Sequence, residues 1–187
     1  MRRLVTTTHL EMRDPSDLRP AKRPCVPFDL VRAEIPCPEL SRFLYTAVGA
    51  PWTWYSRLPW DYARWTEWLE RPEVETWVAY VSGTPAGYFE LERQGGGDVE
   101  VVYLGLLRAF IGKGIGGALL TAAVRRAWAM DASRVWLHTC DLDHPQAIPN
   151  YEARGFRVRK VETAPEEIPD SPLEPWPGAK TSCPSTD

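Results

Sequence analysis

Between a strand-like stretch and a strongly helical one the chain reads Ile111-Gly112-Lys113-Gly114-Ile115-Gly116-Gly117. Glycines at such a junction let the backbone turn sharply and approach a ligand, because no Cβ stands in the way. The N–H groups that open the following helix have no partner inside it, and the positive end of the helix dipole lies behind them. A turn of this kind suits an anion such as a pyrophosphate. Gly112-x-Gly114-x-x-Gly117 matches a dinucleotide-binding fingerprint formally, but that fingerprint belongs after the first strand of a domain with several βαβ units behind it. Here strands joined by hairpin signals precede it, and only about 70 residues follow. A P-loop is excluded, because Lys113 is followed by Gly114 and not by Ser or Thr. A glycine turn that holds nothing is the plain alternative.

Other residues could move protons. Tyr151 falls on a short helix just beyond a strand end, where α/β sheets place their sites. It could equally be a core tyrosine with a satisfied hydroxyl. Glu100 is a carboxylate in an otherwise apolar strand, Asp98 to Leu107. Burial there would raise its pKa toward that of a useful base; a solvated, outward-facing glutamate is the competing reading. Glu90 and Glu92 share one face of the preceding strand and are the next candidates. His138, Cys140 and His144 fall close together, but no fourth metal ligand is evident, and no metal is expected. Cys140 reads as a buried thiol rather than a nucleophile.

Six of the nine tryptophans lie between Trp52 and Trp77. Trp52, Trp54 and Tyr55 fall in a loop and are equally compatible with packing and with an acceptor pocket for an apolar or cationic group. Trp65 and Trp68 are at helical spacing and read as packing.

The elements that must carry these residues follow from period and punctuation. Residues 1–27 form a Pro- and Arg-rich extension with one short strand, His9 to Met12. Phe28 to Ile35 alternates like a strand. Pro38 can open a helix that runs to about Val48 and is stopped by Gly49 and Pro51. Asp61 can cap a second helix, closed by Arg71-Pro72. Glu75–Ser82, Pro85–Arg93 and Asp98–Leu107 are strands joined by hairpin turns. A long helix follows the glycine turn to Met130, then a strand over Arg134–Cys140. A short helix over Pro145–Arg154 ends at Gly155, and a last strand spans Phe156–Thr163. The fold class is α+β: a mixed central sheet, an antiparallel meander and then a parallel crossover, flanked by helices. One domain over 1–164 and a loosely ordered Pro-rich tail over 165–187 are expected.

The bulk numbers agree with one globular domain. The 187 residues are 44% hydrophobic and 25% charged. The net charge of −3 gives no electrostatic case for nucleic acid. The four cysteines are far apart and read as reduced thiols of a cytoplasmic protein. The basic N-terminus lacks an apolar signal region, and no apolar run is long enough to span a membrane.

Two segments carry a family resemblance. Leu104 to Leu120, LGLLRAFIGKGIGGALL, resembles the acetyl-CoA loop of the GNAT superfamily, (Gln/Arg)-x-x-Gly-x-(Gly/Ala) at the start of its main helix. Gly114 and Gly116 stand at the small-residue positions; Ile111 replaces the leading Gln or Arg. His144 to Phe156, HPQAIPNYEARGF, is similar to the family's Asn-x-x-Ala-x-x-x-Tyr-Glu-x-x-Gly-Phe, through Ala147, Tyr151, Glu152, Gly155 and Phe156. His144 replaces the asparagine.

The resemblance implies an N-acetyltransferase that uses acetyl-CoA. It places the backbone of Ile111, Gly112, Lys113, Gly114, Ile115, Gly116 and Gly117 at the pyrophosphate, Leu104-Gly105-Leu106 along the pantetheine arm, and His144 near the cofactor. It makes Tyr151 the acid that protonates the leaving thiolate. Glu100, eleven residues before Ile111, stands where some members carry their catalytic base; ordered water or a backbone carbonyl serves in others. Trp52, Trp54, Tyr55 and Glu90 then fall on the acceptor side. The expected partner is a small primary amine that attacks directly in a ternary complex, with the protein a monomer or homodimer. A protein N-terminus or lysine as acceptor, and a CoA-binding sensor without catalysis, are the alternatives.

Overall fold

The computed structural model describes residues 1–170, 173 and 174. They build one seven-stranded sheet: β1 (Arg2–Met12), β2 (Asp29–Arg32), β3 (Val74–Val81), β4 (Thr84–Arg93), β5 (Asp98–Leu106), β6 (Arg134–Cys140) and β7 (Arg157–Glu167), in the spatial order β2-β3-β4-β5-β6-β1-β7. The helices are α1 (Pro38–Gly49), α2 (Tyr62–Leu69), α3 (Ile115–Trp128) and α4 (Ala147–Ala153). The expected architecture is present: β3, β4 and β5 form an antiparallel meander, and α3 carries the chain over to β6, which pairs parallel to β5.

Local chemistry sets the helix starts. Pro38 sits in the first turn of α1, where its missing N–H costs nothing. The Asp61 carboxylate caps α2 by accepting from the Arg64 N–H at 2.8 Å. Helix α3 buries Leu119, Leu120, Ala123, Val124 and Ala127 against Phe89, Leu91, Val99, Val101, Val135 and Leu137 of the sheet. On the other face α1 sets Leu44 and Val48 against Val78 and Tyr88. Each large apolar side chain so buried contributes about 1.5–3 kcal/mol.

Two strands exceed their expected bounds. The first begins at Arg2 rather than His9, because it lies between β6 and β7: Thr7 to Met12 pair with β6, and pairing with β7 carries the strand back to Arg2. Strand β7 runs on past Thr163 to Glu167 because β1 pairs with it as far as Arg2↔Glu167. Pro165 fits since β7 is an edge strand. The remainder of the proline-rich tail, 171–172 and 175–187, lies outside the described residues.

The parallel pair β5–β6 is short. It holds only from Asp98↔Arg134 to Glu100↔Trp136, after which the strands part. Just there β5 carries an extra residue: Leu91 faces Val101 but Glu90 faces Tyr103, which leaves Val102 unpaired as a bulge. Sequence reasoning allowed a bulge or a close approach at Gly105; the structure has the close approach. A Cβ on Gly105 would run into the Val48 side chain of α1.

Without residues 1–12, β7 would have no strand beside it. A chain shortened by those residues is therefore expected to lose its cooperative thermal transition, followed by circular dichroism.

Candidate active site

Where β5 and β6 diverge, a cavity of about 710 Å³ opens. Its floor at one end is the glycine turn. Gly112 and Gly114 hold φ of 81° and 74°, left-handed values that a side chain would strain. Gly114 is the N-cap of α3 and no side chain caps the helix, so its first N–H groups are left for a ligand. Ile111, Gly112, Gly114, Gly116 and Gly117 line the cavity, together with Leu104, Gly105 and Leu106 of β5. Gly117 has a further reason to be glycine: a Cβ would meet Arg154 Nη1 at 2.5 Å.

Tyr151 of α4 reaches the same cavity, with its ring edge-on to Phe156 at 6.2 Å. Burial raises its pKa well above the ordinary phenol value, and the Asp143 carboxylate adds to the effect. His144 also lines the cavity, with its ring 4.8 Å from that of Trp52.

The far end is aromatic and acidic. Trp52, Trp54 and Tyr55 line it with Tyr45 and Tyr103. The Tyr55 hydroxyl donates to Glu166 of β7 at 2.6 Å, and its own pKa is pushed up to about 12 by burial and by that carboxylate. The Trp54 indole donates to Asp143 at 3.3 Å; Asp143 also accepts from Thr139 and from the Cys140 amide. Among the described residues, no lysine or arginine lines the cavity. Cys140 is on the wall, but burial first and Asp143 next push its thiol up to about 11, which makes it a poor nucleophile. No group of three metal-binding side chains occurs among the described residues.

Four expected site residues stand off the cavity wall. Ile115 points into the core and is fully buried. Lys113 sets its ammonium over the Phe110 ring at 5.4 Å. Glu100 is 7% exposed and accepts from Gln94 Nε2 at 2.7 Å, with His138 Nδ1 at 3.1 Å from its other oxygen. The cavity wall starts one residue later, at Val101, where the strands have parted. Glu90 is held elsewhere altogether. Its carboxylate takes both arms of the Arg57 guanidinium, at 2.8 and 3.2 Å, and the Trp68 indole N–H at 3.0 Å.

That ion pair accounts for half of the tryptophan cluster. The Arg57 guanidinium carbon lies 4.4 Å from the Trp68 ring centre, 4.6 Å from those of Trp60 and Tyr103, and 5.6 Å from that of Trp65. Burial works against the charge, but Glu90 overrides it and Arg57 ends above the ordinary arginine pKa. The tryptophans therefore divide: Trp52 and Trp54 face the cavity, while Trp60, Trp65 and Trp68 cage a cation.

Sequence reasoning missed Asp143, Glu166, Tyr45 and Tyr103 as cavity residues, and weighed His138 only as a metal ligand. Glu166 lies beyond the point where the proline-rich composition suggests an end to the fold. For His138, the alternation of β6 was the available signal: Val135 and Leu137 are buried in the core with α3, which turns His138 to the other face.

A scan of family models matches residues 39–156 to the acetyltransferase (GNAT) family. The chain belongs to that family. Solved structures with the same GNAT fold include an N-acetyltransferase related to GCN5 from Kribbella flavida, at 18% identity and TM-score 0.61, covering 86% of this chain and 57% of that one. Another GCN5-related N-acetyltransferase, from Sphaerobacter thermophilus, has 19% identity and TM-score 0.62, covering 91% of this chain and 54% of that one. An aminoglycoside acetyltransferase from an uncultured soil metagenomic sample, solved with trehalose, has 15% identity and TM-score 0.57, covering 68% and 86%. The chain thus spans a little over half the length of the first two of these GNAT structures. No curated protein matches it in sequence.

The buried pair gives a stability test. Arg57→Met strands the Glu90 charge and is expected to cost about 3–5 kcal/mol in urea denaturation. Arg57→Met combined with Glu90→Leu removes both charges and should cost clearly less than the single change.

Proposed function

We propose that this protein transfers an acetyl group from acetyl-CoA to a primary amine on a small cationic molecule. The observation that carries the reading is one continuous cavity with two chemically different ends, one built from an uncapped helix start and the other from aromatic rings and carboxylates.

The residues fit acetyl-CoA. The left-handed glycines and the free N–H groups of α3 suit a pyrophosphate, and the resemblance to the family's loop lies in the same residues. Beyond Glu100 the β6-facing edge of β5 is unpaired, so its N–H and C=O groups are available to an amide-bearing arm. When bound, acetyl-CoA supplies the acetyl group as a thioester. Tyr151, with its raised pKa, keeps its proton throughout the neutral and mildly alkaline range, as a proton donor to a leaving thiolate must.

The acceptor end favours positive charge. Among the described residues Glu166 has one side-chain hydrogen-bond donor, Tyr55, and lone pairs to spare. The ring faces of Trp52 and Trp54 suit an ammonium-bearing group. An acceptor with its own carboxylate would find no lysine or arginine among the described residues of the wall, and two carboxylates already there. A cationic amine is therefore favoured over an amino acid.

The direct assay is thiol release from acetyl-CoA with a panel of amines: an aliphatic polyamine, an arylalkylamine, an aminoglycoside (after the structural neighbour of that activity) and an amino acid. Cationic amines should stimulate release and amino acids should not. Tyr151→Phe should lower kcat by about 10²- to 10⁴-fold while calorimetry finds acetyl-CoA binding little changed. An equal rate with Tyr151→Phe would remove the tyrosine from the chemistry; absence of acetyl-CoA binding would overturn the whole reading. Glu166→Gln should raise KM for cationic acceptors more than it lowers kcat.

A further inference from the structure

An ammonium cannot attack a thioester until it has lost a proton, so an amine acetyltransferase benefits from a proton acceptor at the acceptor end of its cavity. Glu100 is too deeply set to touch an acceptor there. What stands between it and the cavity is His138.

His138 lies on β6, two residues beyond the last β5–β6 pair, Glu100↔Trp136, where the strands open into the cavity. Its side chain is 48% exposed, while that of Glu100 is only 9% exposed. Nδ1 of the ring faces Glu100 Oε1 at 3.1 Å. The second carboxylate oxygen is held at 2.7 Å by Gln94 Nε2, and Gln94 Oε1 in turn accepts from the Trp136 indole at 3.1 Å. Trp136 and His9 flank the imidazole, with ring centres at 6.0 and 5.9 Å. The ring is thus fixed through one nitrogen. Among the described residues, Nε2 has no hydrogen-bond partner. A histidine held by a carboxylate through Nδ1, with Nε2 free, is the arrangement that makes an imidazole an oriented base.

We propose that His138, positioned by Glu100, is the group that takes the proton from the acceptor ammonium. This rests on the acetyl-transfer reading above. In the step an N–H bond of the ammonium breaks, its electron pair stays on nitrogen, and the proton forms a bond to Nε2. The imidazolium so formed keeps its Nδ1–H directed at the Glu100 carboxylate. Glu100 is then a positioning residue.

The electrostatics agree. The Glu100 hydrogen bond raises the pKa of His138, against the opposing effect of burial. The other charged groups around the ring are Asp143 from the turn after β6 and Glu166 from β7, which raise it too. Glu92 of β4, which also reaches Gln94, is paired with Arg71; His9 of β1 is paired with Glu162. The base must be neutral to act, so the rate should fall on the acid side through the pKa of His138, above the ordinary histidine value.

The test uses the full chain. The pH dependence of kcat/KM for the best amine of the panel is measured at saturating acetyl-CoA, and the His138 imidazole is titrated by NMR in the free protein. Acetyl-CoA binding is measured by calorimetry. The variants are Glu100→Gln and His138→Asn; the latter keeps a donor toward Glu100. The kinetic limb and the NMR titration should coincide in the native protein and move together to lower pH in Glu100→Gln. His138→Asn should lose that limb and at least about tenfold in kcat, with acetyl-CoA binding unchanged. Native turnover whose acid limb survives in His138→Asn, or does not coincide with the NMR titration, overturns the assignment and leaves the acetyl-transfer reading standing. Absence of acetyl-CoA binding in the native protein overturns the acetyl-transfer reading itself, and the assignment with it.

Discussion

The buried charge of Arg57 is the constraint around which half of this molecule is arranged. A guanidinium that is 5% exposed can exist only if its charge and its N–H groups are answered nearby. Glu90 answers the charge bidentately from β4, and the faces of Trp60, Trp65, Trp68 and Tyr103 fill the space that water would otherwise take. Main chain is tied in as well: the Tyr45 hydroxyl of α1 accepts from the Arg57 amide at 3.1 Å. Through one residue, then, the loop after α1, the helix α2 and the strands β4 and β5 are fixed relative to one another. The neighbouring residues Trp52, Trp54 and Tyr55 form the aromatic wall of the cavity, and Tyr103 belongs to both cage and wall. Thr53, between the two wall tryptophans, holds a left-handed φ of 59°, a conformation that a threonine keeps only where its surroundings impose it.

The other half of the cavity depends on an incomplete pairing. Strands β5 and β6 run parallel for three residue pairs and then separate, and the bulge at Val102 lies where they do so. Close approach of α1 to β5 at Gly105 holds the far side of that opening. The gap leaves backbone groups of β5 without a strand partner, so the cleft has main chain along one edge. Helix α3 meets the same gap with its uncapped end.

Much of this was legible in the sequence because it rests on local rules. The capping aspartate of α2, the proline that opens α1, the three-strand meander and the glycine turn each follow from residue type and spacing. The grouping of Tyr151 with the glycine turn came from the family resemblance instead, and the WTWY loop was open between packing and pocket. What escaped depends on partners far along the chain. The first strand, RRLVTTTHLEM, has few apolar positions, and only its place between β6 and β7 extends it to Arg2. Glu166 owes its position to the same pairing. Glu90 read as an acceptor-side carboxylate because nothing local announces that Arg57, thirty-three positions earlier, will claim it. Glu100 stops short of the cavity because the wall begins at the next residue, a boundary set by where two strands part.

The position of β1 also fixes an order of events. It precedes the other strands in the sequence, yet both its neighbours come much later: Glu11 and its partner Arg134 are 123 positions apart. Until β6 and β7 exist, β1 has no sheet to join. Pairings so remote in sequence are slow to form, since a long loop must close before any contact rewards it. The polar, threonine-rich composition that hid this strand from view is then what lets it wait in water, with arginines at one end and few apolar side chains to recruit a wrong neighbour.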